Sequence, residues 1–525
     1  MIYIIYSEKV KEAGDLVYLA FARSFSRAQI KRLDSFKCSQ DIKSAEFLVL
    51  VEPDDVAIKT LNQLYSQNTR IKILLLGKLP SLLAKKFNVK TFSFSEDILS
   101  DANCDPASIY SFQESRLRIG YRKPLGSLTS PIEDRPFLRY DFRNEWNNLN
   151  YGAIRMDDSI WSLSMGADVP KANLLAEVVD IQHAISAYAA LFEDESSSML
   201  WFNRAVGPID SQEWRLVEYF FASYRHTELP SAPVLSEIPY GFDAFVTMRL
   251  DCDEEIKSAR PLFENYCAWQ VPFSLAIHTS LLSDSRHEKM IHEVLAHQGA
   301  ILSHSDTHAP HWGGNYENAY QEAHRSAVKL NSIVKNPVHY AVSPFHHTPH
   351  FVPKALMDAD YFGFVGGTIS SNPEVLMARG GIVQENFPHF IGHSQSCMLH
   401  GECLLLDEDP IRIYKEAFLI AKRGRALFGF LDHPFSSRYT YGWQSESARI
   451  EIHRQLIEYI RARGHVLFAN EEDALNFIRY KSSVKLNLTP NKKIAYTLPS
   501  LTARYELTVE FCDELIRLTK EGVPA

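Results

Sequence analysis

Cysteine is scarce in this chain of 525 residues: there are seven, at Cys38, Cys104, Cys252, Cys267, Cys397, Cys403 and Cys512. None are spaced as CxxC and the number is odd, so neither a disulfide framework nor a zinc ribbon is supported. A basic excess is missing as well. Lys and Arg number 55 against 64 Asp and Glu, a net charge of -9, where a nucleic-acid binder needs a basic face. No run of about 18 apolar residues exists, so no helix is expected to cross a membrane. The opening Met1-Ile-Tyr-Ile-Ile-Tyr6 is apolar, but it is too short for a signal peptide and has no basic leader. No Gly-rich phosphate loop, internal repeat or low-complexity tract is present. These absences point to a soluble, reduced, cytoplasmic protein.

What is there is ample core. The chain is 46% hydrophobic. At roughly 100–200 residues per domain it divides into about three domains and an appendage. Residues 1–116 alternate short apolar runs (2–6, 46–51, 71–76) with helix-length segments such as 56–66, the rhythm of a small α/β domain. Residues 117–240 read as a middle α+β domain. There Asp210-Ser-Gln-Glu213 has the pattern of a capping box opening a helix over 214–225. Trp201 and Trp214 read as core rather than as sugar platforms. The proline-bearing stretch 228–239 reads as a linker.

Residues 241–480 alternate more regularly, with candidate strands at 245–250, 273–277, 300–303, 338–342, 361–365, 426–431 and 466–469. Helices fit 288–297, 315–334 and 445–461. Repeated βα units of this number predict a distorted (β/α) barrel of seven or so strands. Residues 481–525 read as a small C-terminal β appendage.

The polar residues that stand out follow these strands, where such folds keep their active sites. Asp251 and Asp253 leave an apolar run, and two carboxylates there are costly unless a cation neutralises them. His304 and His308, about fifty residues on, can complete a set of one oxygen and two nitrogens. That set suits one divalent metal ion, zinc above all, with room for water. The HxxxH spacing fits either a helix or a loop after a strand. Asp251 is left as a general base, with Arg249 as an ion-pair partner that keeps it ionised. His433, after a late strand, is the candidate general acid. His346, in the His-rich loop 343–350, suits a pocket wall better than a second metal. Gly367 suits close backbone approach to a ligand. Trp312 and Trp443 could floor sugar subsites on opposite rims or pack as core.

These stretches resemble the polysaccharide deacetylase family, the NodB-homology carbohydrate esterases of family 4, over roughly residues 241–480. The family's Asp base and Asp ligand match Asp251 and Asp253, spaced here as DxD rather than adjacent. Its H-[S/T]-x-x-H motif matches His304-Ser305-Asp306-Thr307-His308 in full. Its Arg-x-Pro-Tyr motif aligns with Val342-Ser343-Pro344-Phe345. The arginine is absent, and Arg249 is the substitute. Phe345 would inherit the oxyanion role through its backbone N–H. The late Leu-x-His motif matches Leu431-Asp432-His433, while the Asp-x-x-x-Trp motif finds no match.

The resemblance implies hydrolysis of an N-acyl group, N-acetyl first, on an amino sugar of a glycan or its precursor, such as a capsule or O-antigen intermediate. Removal of a formyl group would use the same residues. A carbohydrate-binding protein with a vestigial metal site is the rival from another class. A two-metal phosphoesterase is a third, and it would need the His346–His350 cluster as its second site.

Overall fold

A computed structural model of the chain describes residues 1–34, 42, 45–59, 70–102, 117–122, 128–129, 132–137, 152–181, 183–282, 285–366, 378–406, 409–489 and 491–519. Gly367 and most of the helix expected over 56–66 lie outside them.

The chain builds two large sheets. In the first, Ile30–Asp34, Ile2–Tyr6, Phe47–Val51, Ile71–Leu76 and Ser197–Phe202 run parallel in that spatial order. Ala184–Glu193, Leu174–Val179, Arg118–Tyr121 and Arg135–Pro136 extend it antiparallel, for nine strands in all. The Phe47–Val51 and Ile71–Leu76 runs are buried at every position, as strands covered on both faces must be. The boundary expected near residue 116 therefore falls inside one continuous sheet. Main-chain pairing of Ile71–Leu76 with Ser197–Phe202 joins what composition had separated.

Trp201 and Trp214 are core, as expected. Their indole N–H groups donate to Gly77 O at 2.8 Å and Ser24 Oγ at 2.9 Å. The capping box is not formed. Asp210 takes both terminal nitrogens of Arg204 at 2.8 Å, and Glu213 takes Arg135 at 2.6 Å, all fully buried. A buried guanidinium left unpaired costs several kcal/mol, about 3–5 by mutation, so it outcompetes a cap worth about 1. The helix runs only over Trp214–Ala222.

The expected linker is also built into structure. Val234–Leu235 pairs with Leu507–Phe511, which itself pairs with Glu514–Leu518. The C-terminal β segment is present, with a second hairpin of Lys485–Leu488 and Ile494–Thr497.

The second large sheet has ten strands. Its order is Gly381–Ile382, Ile391–Ser394, Gly363–Gly366, Tyr340–Val342, Ala300–Ser303, Ser274–Ile277, Ala244–Cys252, Phe428–Asp432 and Cys397–Met398, with Val466–Ala469 also beside Ala244–Cys252. All pairs are parallel except the Gly381–Ile382 edge. The alternation of parallel strands and helices is as expected. Among the described residues the expected barrel is not a continuous ring of strands: the sheet has edges at Gly381–Ile382 and Cys397–Met398, and the stretch of residues 391–398 bridges Gly363–Gly366 and Phe428–Asp432. Within it Gln395 N–H donates to Gly366 O on one side and Ser396 N–H to Gly429 O on the other, both at 3.0 Å.

Alternation along Ala244–Cys252 decides where the site lies. Ala244, Val246, Met248, Leu250 and Cys252 join the large core under the helices. Phe245 faces the other way, into a cluster with Ala276, Leu302, Val342 and Val365. Further along that inner face come Thr247, Arg249 and Asp251, so the interior turns from apolar to charged toward the strand ends. Each fully buried Leu, Ile or Phe in these layers stabilises the fold by about 1.5–3 kcal/mol.

Candidate active site

Parallel register brings the motif residues to one end of the second sheet. Leu250 is level with Asp432 and with Leu275, and Ser303 with Ala341. Asp251, Asp253, His304, Val342 and His433 thus emerge together at the carboxyl ends of the strands.

His304 and His308 lie on a loop after Ala300–Ser303, not on a helix. Left-handed residues make its turns, with φ of 68° at Ser305 and 56° at His308. Glu322, from the helix Tyr316–Ile333, accepts the N–H groups of Asp306 at 3.0 Å and Thr307 at 2.8 Å, and the Thr307 hydroxyl at 2.7 Å. Asp306 is held in turn by the Thr279 hydroxyl and Lys329. The loop is pinned before any ligand arrives.

The ring nitrogens converge. His304 Nε2 and His308 Nε2 lie 3.1 Å apart, and each is 3.3 Å from Asp253 Oδ1. These three residues form a group able to hold a metal ion, the one such group among the described residues. Asp253 Oδ1 is buried with no hydrogen-bond partner, which is how a carboxylate oxygen waiting for a cation looks. Val342 O accepts from His304 Nδ1 at 3.0 Å, which puts the proton on Nδ1 and leaves the Nε2 lone pair facing the cluster. The donor set therefore fits a divalent ion. Burial pushes His308 down to about 3, with the neighbouring His304 ring adding to the effect. Burial opposes ionisation of Asp253 too, but His304, His433 and His308 outweigh it and hold the carboxyl well below its usual range. His278, which no motif pointed to, sits beneath, its Nε2 2.8 Å from Asp253 O.

Asp251 sits beside this group and meets Arg249 along two edges, Nε to Oδ1 at 2.7 Å and Nη2 to Oδ2 at 3.3 Å. Burial alone would raise the Asp251 carboxyl. Arg249, then His304 and His433, overcome that and keep it below the ordinary range. The guanidinium is in turn held by Gln395 Oε1 at 2.5 Å and Glu471 Oε1 at 3.3 Å. Glu471 is buried and its pKa is raised by burial. Neither Gln395 nor Glu471 carries a sequence signal.

His433 Nε2 is 3.5 Å from Asp253 Oδ2. Asp432 does not touch the His433 ring. It accepts the His433 backbone N–H at 2.8 Å and the Trp443 indole N–H at 3.3 Å, and it pairs with His453 Nε2 at 2.9 Å. The chain continues to Tyr266 OH, 2.8 Å from His453 Nδ1. Arg449 donates to His433 O at 2.8 Å. This buried network, of which the sequence marked only Asp432 through its Leu-x-His match, fixes the backbone that carries His433.

The substrate-facing expectations divide. Trp443 is buried against Asp432, and Trp312 is fully buried in the core, so neither floors a sugar subsite. An apolar indole gains more from this layer than from solvent, and each follows a turn that directs it inward. His346 is half-buried beside the site. Burial pushes it down to about 4, against the pull of the Asp251 charge. Phe345 is 56% exposed with φ of 53°, and its ring lies 4.5 Å from that of His308. Gly367 is outside the described residues.

No family model matches the sequence, and no curated protein matches it. Solved structures of carbohydrate esterases do resemble it. A protein of Mycobacterium smegmatis provisionally named a polysaccharide deacetylase is similar at 16% identity, over 50% of this chain and 97% of that one, with a TM-score of 0.37. A family 4 acetyl xylan esterase from Clostridium thermocellum, solved with a cobalt ion, is similar at 11% identity, over 44% and 90%, with a TM-score of 0.31. A family 4 pseudoenzyme from Bacillus anthracis is similar at 10% identity, over 44% and 65%, with a TM-score of 0.30. At identities and scores this low the likeness decides nothing about activity, which rests on the residues of the site.

Proposed function

We propose that the protein is a metal-dependent hydrolase that removes an N-acyl group, N-acetyl first, from an amino sugar of a glycan or glycan precursor. One observation carries this reading: Asp253, His304 and His308 converge beside an ionised Asp251, with His433 in contact with the same cluster. The sugar and the amide rest on the motif resemblance of His304 to His308 and of Leu431 to His433.

Zinc suits one carboxylate and two imidazoles best, and a divalent ion held there supplies a polarised acyl carbonyl and a water of lowered pKa. Asp251 accepts the proton of the attacking water, and Arg249 keeps its carboxylate ionised and aimed. His433 delivers a proton to the departing nitrogen, without which an amine leaves slowly. The Phe345 N–H, on its left-handed turn, offers a hydrogen bond to the developing oxyanion. His346 stays neutral and lines the pocket. Among the described residues no helix is long and apolar enough to cross a membrane.

The test is release of acetate or formate from N-acylated amino-sugar oligosaccharides by the zinc-loaded protein. Chelation should stop it and zinc restore it, and Asp251→Asn should stop it with zinc still bound. A fully loaded protein that releases neither acid from any sugar amide overturns the reading in favour of a binding protein.

A further inference from the structure

Catalytic histidines are usually oriented by a hydrogen bond to the ring nitrogen that does not react. His433 has no such bond: Nδ1 is buried and without a partner. Its plane is set in another way. The Tyr441 ring lies over it, with centroids 4.2 Å apart and planes 9° from parallel. Tyr439 closes edge-on against the outer side of Tyr441 at 4.3 Å. The Tyr441 hydroxyl reaches past the imidazole and donates to Asp253 Oδ2 at 3.4 Å, the oxygen that also faces His433 Nε2.

The backbone is shaped for this contact. Tyr441 is left-handed, with φ of 49°, and Gly442 follows at 73°. Gly401 N–H donates to Tyr441 O at 3.0 Å. A Cβ on Gly401 would lie 2.1 Å from the carbonyl carbon of Gly442, so only glycine lets the two turns meet. Exposure of the His433 side chain is 8%, with Tyr441 as its lid.

We propose that Tyr441 is the positioning residue of this site, its ring fixing the plane of His433 and its hydroxyl restraining the outer oxygen of Asp253. One side chain thereby ties the proton donor to the metal ligand. The role assigned to His433 rests on the hydrolase reading. The contact with Asp253 does not.

Full-length Tyr441→Phe and Tyr441→Leu separate the two contacts. Zinc affinity is read by competition with a chromophoric chelator, and kcat and KM on an N-acetylated amino-sugar oligomer at saturating zinc. Tyr441→Phe should weaken zinc about 3- to 10-fold with kcat within about 2-fold, because losing an outer-shell partner of a ligand typically costs about 10- to 100-fold for strong contacts and this one is long. Tyr441→Leu should weaken zinc equally and lower kcat about 10- to 100-fold with KM unchanged. Adding Tyr441→Leu to His433→Ala should lower kcat no further. Wild-type kcat in Tyr441→Leu, or an additive loss in the double variant, overturns the role of the ring. An unchanged zinc constant in Tyr441→Phe overturns the role of the hydroxyl. If the wild type releases nothing from any sugar amide, the hydrolase reading fails, and the zinc constants still decide the link to Asp253.

Discussion

Arg249 and Asp251 project from successive inward positions of one strand and meet side by side, Nε 2.7 Å from Oδ1 and Nη2 3.3 Å from Oδ2. The buried carboxylate and its counter-charge therefore come from one strand. The pair stays aligned as long as that strand does.

Arg249→Lys keeps the charge and loses the two-edged fit, which a point-like ammonium cannot reproduce. Against burial, Arg249 depresses the Asp251 carboxyl in the folded protein, and with the paired guanidinium hydrogen bonds gone it rises toward the ordinary range. A base must be ionised to act, so the acid limb of the pH–rate profile should move to higher pH, with kcat down about 10- to 100-fold at neutral pH. An acid limb that stays in place in the folded variant argues that Arg249 does not tune Asp251.

His433→Ala should matter in proportion to how poor the leaving group is. Loss of a general acid costs about 10²- to 10⁴-fold on an amide. An activated aryl acetate, whose leaving group needs no proton, should lose far less. Equal losses on both substrates would show that His433 serves structure or metal binding instead.

Trp312→Ala should act on the fold. Truncating a fully buried indole costs about 3–5 kcal/mol, so thermal denaturation should fall by many degrees. KM for a glycan oligomer should not change in the fraction that remains folded. A rise in KM with unchanged stability would return Trp312 to the substrate cleft.

Glu510 reports on acid stability. It accepts from Arg215 at 2.6 Å and Arg425 at 2.7 Å, tying the helix Trp214–Ala222 to the C-terminal hairpin. Burial pushes its carboxyl up, but the two guanidinium groups prevail and hold it at about 2. A carboxyl depressed on folding stabilises above its unfolded value of 4.5, and that stability drains away as pH falls toward 2. The shift corresponds to about 3 kcal/mol at neutral pH. Glu510→Gln should be less stable than the wild type at pH 7, and the gap between the two should close as pH falls toward 2, by chemical denaturation at each pH. A stability gap that stays constant between pH 7 and pH 2 would show that the Glu510 charge contributes nothing to acid stability.

The motif residues were legible because their signals are local. An apolar run followed by Asp251 or His304 marks a strand end within a few residues, and parallel pairing carries strand ends to one side of a sheet whatever the intervening lengths. Period-two alternation along that strand likewise places Cys252 in the core and Arg249 on the side of Asp251. Tertiary structure alone decided the rest. Gln395 and Glu471 reach Arg249 from 146 and 222 residues away, and nothing local marks a buried Gln or Glu as a guanidinium partner. The capping pattern at Asp210–Glu213 yielded to two buried arginines, since an uncompensated buried charge outweighs a helix cap. Trp312 and Trp443 read equally well as platforms or as core until their neighbours were known, because an indole gains from either setting and only the surrounding layers determine which one it meets.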